Sequence, residues 1–292
     1  MNASPVHLFN VERHYQRLKK QYNSLTPEEQ AFVKCQQLDA SHSTSYWQKF
    51  FQRLIVLDVI GSDLRRIFKR MRLILVILSL LAVFILPGSQ YVPLMWLILV
   101  LCVYACLRAH SCIRKDVDNN VRTGLVKLFQ VLALETRYIK LKLDVRPFDK
   151  RLAARSENYG KNDKLEFYEV PLLELSAQLK DGNSLSVKIQ DVICRRERKK
   201  ISASGKRKTK VKYKGRRLIR VDLGLNPQRY MRRDGKLAPD SKIVCHEGQQ
   251  KVVTQFKLKF DGKFKYLDAE NILKTIAKAY QQTKVVNRGK AA

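Results

Sequence analysis

Acidic side chains are in short supply in this chain: 26 Asp and Glu stand against 57 Lys and Arg, a formal net charge of +31 over 292 residues. Such an excess repels cations and attracts polyanions, which means phosphate backbones, anionic lipid surfaces or acidic proteins. Cysteine is scattered. The six residues Cys35, Cys102, Cys106, Cys112, Cys194 and Cys245 contain no C-x-x-C pair, which argues against both a zinc ligand set and a disulfide framework. The five histidines (His7, His14, His42, His110, His246) show neither metal nor triad spacing, and no G-x-S-x-G, H-E-x-x-H or P-loop motif occurs. Cys245, His246 and Glu247 are contiguous, but neighbours on an extended strand point to opposite faces, so a nucleophile and base placed this way would not meet. No catalytic, cofactor or metal residues are expected, and the chain reads as a non-enzyme. Its length allows one or two compact units.

Charge is almost absent from one stretch. Between residues 71 and 107 only Arg72 is charged, and two apolar runs, Leu73 to Leu86 and Tyr91 to Leu107, are divided by Pro87-Gly88-Ser89-Gln90. A helix crossing the hydrocarbon needs about 20 residues, with a lower limit near 17. Counting flanking residues brings each run to roughly that length, so a transmembrane helical hairpin with spans at 71–88 and 91–108 is expected. Basic residues flank it: Arg65, Arg66, Lys69, Arg70 and Arg72 before, Arg108 after. That bias predicts an integral membrane protein with both termini cytoplasmic, in the plasma (inner) membrane if the source is bacterial. The first twenty residues hold no apolar core of a signal peptide, so the first span is expected to serve as the insertion signal.

Around this centre the chain divides by periodicity. Residues 1–70 read as helices: Thr26-Pro27-Glu28-Glu29 is a helix start, and a longer helix beginning near Ser43 or Ser45 carries Trp47, Phe51, Leu54 and Ile55, with a break at Gly61-Ser62. Over 108–143 a juxtamembrane helix is expected, because Ile113, Val117, Val121, Leu125, Leu128 and Leu132 recur at steps of three or four. Residues 144–163 are polar and read as a linker.

From 164 to 292 the period changes to two, which predicts a basic antiparallel β domain. Leu185, Val187 and Ile189 alternate with polar residues after the turn Lys180-Asp181-Gly182-Asn183, a hairpin signature. Val252, Thr254, Phe256, Leu258 and Phe260 form another apolar row, running to a second tight turn at Asp261-Gly262. Asp268 caps a closing amphipathic helix. The fold class expected is therefore an α+β membrane protein: N-terminal helices, a two-helix transmembrane hairpin, and a cytoplasmic antiparallel β domain with a terminal helix.

The positive charge is densest in one segment of this domain. Between Arg195 and Arg220 there are 14 Lys or Arg and one acid, Glu197. Lys206, Lys208, Lys210, Lys212 and Lys214 occupy even positions, while Val211, Tyr213, Ile219, Val221 and Leu223 occupy odd ones. A strand then shows lysines on one face and an apolar row on the other, with alternate residues roughly 6.6 to 7 Å apart, comparable to successive phosphates. Paired with residues 185–198, it makes a two-stranded ribbon. The candidate polyanion-binding residues are Arg195, Arg196, Arg198, Lys199, Lys200, Lys206, Lys208, Lys210, Lys212, Lys214, Arg216 and Arg217.

The partners this implies are the bilayer, with anionic lipid, nucleic acid or an acidic protein at the ribbon, and a homo-oligomer is compatible. The leading expectation is a membrane-anchored scaffold or adaptor. The alternative is a ligand-sensing effector, in which the β domain takes a small anionic ligand and the hairpins oligomerise. Tyr213, Tyr230 and the segment QRYMRRDGK would offer base stacking, although no nucleic-acid-binding motif accompanies them.

Overall fold

A computed structural model describes residues 11–85, 91–113, 124–159, 163–201, 205–233, 237–246, 249–261 and 267–286. These form six helices and ten strands, in two compact units: Met1–Cys35 with Gln52–Asp118, and Gln36–Phe51 with Asn119–Ala292.

The first unit is helical. Helix α1 (Val11–Asn23) buries Val11, Tyr15 and Leu18, a spacing of four and three that defines one helical face. Helix α2 (Pro27–Cys35) opens with a reciprocal capping box: Thr26 N–H donates to Glu29 Oε2 at 2.7 Å and Glu29 N–H to Thr26 Oγ1 at 3.3 Å. Helix α3 (Thr44–Ile85) runs 42 residues, roughly 63 Å at 1.5 Å per residue. No break occurs at Gly61-Ser62. A Cβ at Gly61 would meet Leu18 Cδ1 at 3.9 Å, so α1 packs beside α3 there. Helix α4 (Tyr91–Ile113) buries Ile98, Ala105 and Cys112, seven residues apart, and leaves its other sides open.

The expected transmembrane hairpin is not the architecture found. Among the described residues a single helical window, Met95–Cys112, is long and apolar enough to cross a membrane. The first apolar run is only the end of α3, whose earlier turns bury Leu54, Leu57, Leu64 and Phe68 within the helical unit. From Leu73 to Ile85 it spans roughly 20 Å, below the hydrocarbon thickness of about 30 Å. In the second half of α4, Glu12 of α1 accepts from Tyr104 (2.7 Å) and Arg108 (3.2 Å), and Tyr15 shares a 3.0 Å hydrogen bond with Ser111. That end of α4 is thereby held in polar contacts. The Pro87–Gln90 turn lies outside the described residues.

The second unit is built on an antiparallel sheet of eight strands in the order β1-β2-β4-β5-β6-β9-β8, with β3 also pairing β4. The strands are β1 (Gln37–Ser43), β2 (Thr136–Asp144), β3 (Arg155–Tyr159), β4 (Asp163–Leu179), β5 (Ser184–Ile201), β6 (Arg207–Gly224), β8 (Ser241–His246) and β9 (Gln249–Asp261). Strands β7 (Tyr230–Arg232) and β10 (Thr283–Val285) make a separate pair. Alternation sorts the side chains: Leu141, Leu175, Val187, Val221 and Val252 share one face and are buried. Helix α5 (Val126–Glu135), helix α6 (Ala269–Gln281) and the first turns of α3 supply the rest of this core. There Trp47, Phe51 and Phe129 pack ring to ring, and Trp47 Nε1 donates to Ile139 O at 3.0 Å. Asp268 caps α6 as expected, accepting from Glu270 N–H at 3.0 Å.

Three further expectations give way. Residues 37–43 form a strand rather than a helix, because β2 supplies a partner whose Leu143 and Leu141 sit opposite Leu38 and Ala40. The juxtamembrane helix does not reach 143: Leu125, Leu128 and Leu132 are buried on one stripe, but the chain turns extended at Thr136, where Ile139, Leu141 and Leu143 impose a period of two. The 144–163 linker contains a 3-10 turn (Phe148–Lys150) and β3. Gly262 of the second predicted turn lies outside the described residues.

Candidate polyanion-contact surface

Strands β5 and β6 pair in unbroken register from Ser184↔Gly224 to Ile201↔Arg207. Their neighbours stop earlier. Among the described residues, on β5 the last partner from β4 is Asp163, opposite Arg198, and on β6 the last partner from β9 is Asp261, opposite Lys214. The basic end of the hairpin thus projects as a two-stranded ribbon, joined at its tip through Gly205 at φ +72°, a left-handed conformation glycine adopts without strain.

Parity divides the twelve predicted residues. Even positions point away from the buried face: Arg196, Arg198, Lys200, Lys208, Lys210, Lys212, Lys214 and Arg216 are all exposed. Lys206 is exposed just before β6, and Lys199 lies on the opposite face, also exposed. On the outer face the register sets Arg196 against Lys212, Arg198 against Lys210 and Lys200 against Lys208. Like charges directly opposite on a sheet are destabilising, and here three consecutive rungs carry them. Among the described residues one acid pairs with the ladder, and only with its arginines. Asp163 accepts from Arg196 Nη2 at 2.6 Å and Arg198 Nη2 at 3.0 Å, and these two guanidiniums, Arg196 foremost, hold its carboxyl down to about 2.

Two of the twelve do other work. Arg195 points to the inner face, where it pairs with Glu166 at 2.5 Å and Glu197 at 2.9 Å. Lys164 and then Arg195 keep the Glu166 carboxyl at about 2. Arg217 is buried, joined to Asp191 through two 2.7 Å bonds. Both are paired with carboxylates of the fold. Sequence periodicity held the signal, since Arg217 shares its parity with Tyr213, Ile219 and Val221 on β6, and Arg195 with Ile189 and Ile193 on β5.

Just behind the ladder Gly215 is required by close packing: a Cβ there would meet the Phe260 ring at 2.5 Å and Val192 O at 2.9 Å. Phe260 belongs to a small core with Tyr168, Val170 and Ile193 that supports the root of the ribbon. Tyr213 is half-buried edge-on against Phe148, and Tyr230 against Tyr280. The two tyrosines singled out for base stacking are thus engaged within the protein, whereas Tyr138 on β2 is exposed. Among the described residues no three His, Cys, Asp or Glu converge as metal ligands, and Cys245 is an exposed thiol on edge strand β8.

No protein-family model, curated protein or solved structure matches this chain. The surface must be read from its own chemistry.

Of the residues expected to flank a membrane, Lys69, Arg70 and Arg72 are exposed on α3 and Arg66 pairs with Asp63 at 3.6 Å. Arg108 lies 4.0 Å over the Tyr15 ring besides its pairing with Glu12. Beyond Arg72, every residue from Leu73 to Leu78 is exposed or half-exposed, covering all azimuths of the helix. On α4, Trp96, Val100 and Leu107 are more than half exposed, at 64%, 61% and 66%.

Proposed function

We propose that the protein is a non-enzymatic, membrane-bound binding protein whose sheet unit contacts the phosphates of anionic lipid. The like-charge ladder carries this reading. Three stacked cation pairs oppose folding and are relieved when anions sit between them, so their accumulation on one exposed face makes sense only with a polyanionic counterpart. Edge protection needs one or two lysines, not paired rows. Lipid is favoured over nucleic acid because Tyr213 and Tyr230 stack edge-on against Phe148 and Tyr280, and because α4 and the end of α3 expose apolar side chains that acyl chains would cover. Each cation near an anionic leaflet contributes on the order of 1 kcal/mol, so six form an ample contact.

The test is flotation of the full chain with neutral vesicles, vesicles containing phosphatidylserine, and RNA or DNA competitors, over a range of salt. Binding to neutral vesicles through the apolar helices is expected to persist at high salt. The additional affinity for phosphatidylserine is expected to disappear in K200Q/K208Q/K210Q/K212Q. A wild-type preference for nucleic acid over anionic vesicles at physiological salt would refute the lipid assignment.

A further inference from the structure

We infer that the outer face of β5, β6 and β9 also carries a discrete seat for a polyphosphorylated ring, centred on Leu218 and separate from the ladder. A shallow groove of about 400 Å³ lies there, within the range of small-ligand sites. Its floor is set by three successive rungs. Arg216 stands between Val192 and Lys259, Leu218 between Gln190 and Lys257, and Arg220 between Lys188 and Gln255. Half-buried Leu218 is thus an apolar centre with four lining cations, Lys188, Arg216, Arg220 and Lys257; Arg220 and Lys188 are directly opposite like charges, and Arg216 faces Lys259 just beyond the lining.

At these rungs β5 and β6 each have a neighbour on both sides, whereas β9 pairs with β8 only up to Thr254, so among the described residues Lys257 and Lys259 stand on a stretch paired with β6 alone. Compensation inside the protein is thin. Arg220 pairs with Asp222 at 2.8 Å, and Lys188 reaches Glu174 only at 3.9 Å, away from the groove. Arg216, Lys257 and Lys259 make no ion pair among the described residues. No carboxylate lines the groove, and Gln255 adds an amide donor at its rim.

An apolar centre with cations around the margin selects a ligand with an apolar ring face and phosphates at its edge. A phosphorylated cyclitol or sugar has that form, whether free in solution or as a lipid headgroup. Monovalent headgroups would engage one or two of the cations, and a ring bearing several phosphates would engage the four lining cations at once.

The experiment uses the full chain in detergent, titrated calorimetrically with myo-inositol hexakisphosphate, and in parallel a vesicle arm comparing phosphatidylinositol 4,5-bisphosphate with phosphatidylserine at matched charge. The groove variant is R216Q/K257Q, and K208Q/K210Q on the ladder is the control for bulk charge. Both remove exposed like charge, so thermal unfolding at or above the wild-type temperature verifies folding. Losing two charge-assisted contacts predicts a fall in affinity of about tenfold or more for the groove variant and less than about threefold for the control. Groove-dependent binding of the soluble probe supports the seat with free ligands as its source. Groove-dependent preference for bisphosphate vesicles alone supports it with the lipid headgroup as the source. Equal losses in both variants, or none in R216Q/K257Q in either arm, would overturn it. Loss of the phosphatidylserine increment in the ladder variant reports separately on the ladder.

Discussion

Arg217 and Asp191 face each other across β5 and β6 and close a buried, two-bonded ion pair at 2.7 Å, the one cation of the basic segment drawn into the core. Its Nη1 is buried with no hydrogen-bond partner, which adds to the cost of the site. Breaking such a pair leaves an uncompensated buried charge, whereas replacing both members removes the problem. R217L alone is expected to destabilise the sheet unit by about 3–5 kcal/mol in chemical denaturation, and R217L/D191L by much less. Equal costs for the single and double variants would contradict this account.

The two depressed carboxyls at the root of the ribbon predict an acid limb. Asp163 and Glu166 titrate at about 2 in the folded state. In an unfolded chain such groups titrate near about 4. A depressed folded value means stability that is complete above about pH 4 and lost as pH falls towards 2. D163N/E166Q should therefore be less stable than wild type at pH 7, with the gap in thermal midpoint narrowing from pH 4 downwards. A gap constant across that window would show that packing, not charge, sets the difference.

The two tryptophans give a spectroscopic test of the lipid contact. Trp47 is fully buried in the sheet unit, and Trp96 is 64% exposed on α4. Adding vesicles should shift emission to the blue through Trp96 alone, and lipids brominated on their acyl chains should quench that component. W96F should show neither change. Vesicle-dependent shifts that survive in W96F would mean that the sheet unit itself rearranges.

Much of the sheet was legible because its alternation is local: Leu185, Val187 and Ile189, and the row from Val252 to Phe260, sit on the face their spacing predicts. The inward parity of Arg217 was legible too, but charge type masked it, since a buried arginine is anticipated only when its partner Asp191, 26 residues away, is known. Strand β1 had no such signal, because QLDASHS owes its conformation to β2, about a hundred residues later. The apolar runs misled for a different reason. Composition reports what a helix can bury, and it is silent about Glu12, which clamps the far end of α4 from another part of the chain.

The ladder makes a prediction in which stability and binding move in opposite directions. Lys208, Lys210 and Lys212 face Lys200, Arg198 and Arg196, and for these cations the compensating acid found is Asp163, which bonds only to the two arginines. Neutralising one row as K208Q/K210Q/K212Q removes three cross-strand repulsions while leaving Asp163 and both arginines in place. The free protein should gain a few degrees in thermal midpoint at low salt, about what relief of weak exposed pairs can yield, and the gain should shrink as salt screens the repulsion. Under the same conditions its affinity for phosphatidylserine vesicles should fall. K164Q, at a lysine already paired with Glu166 at 2.6 Å, has no repulsion to relieve and should lose stability instead. A row variant that is less stable than wild type at low salt would mean that the cations are held by attractive contacts within the fold, and the argument for an external polyanion would lose its basis.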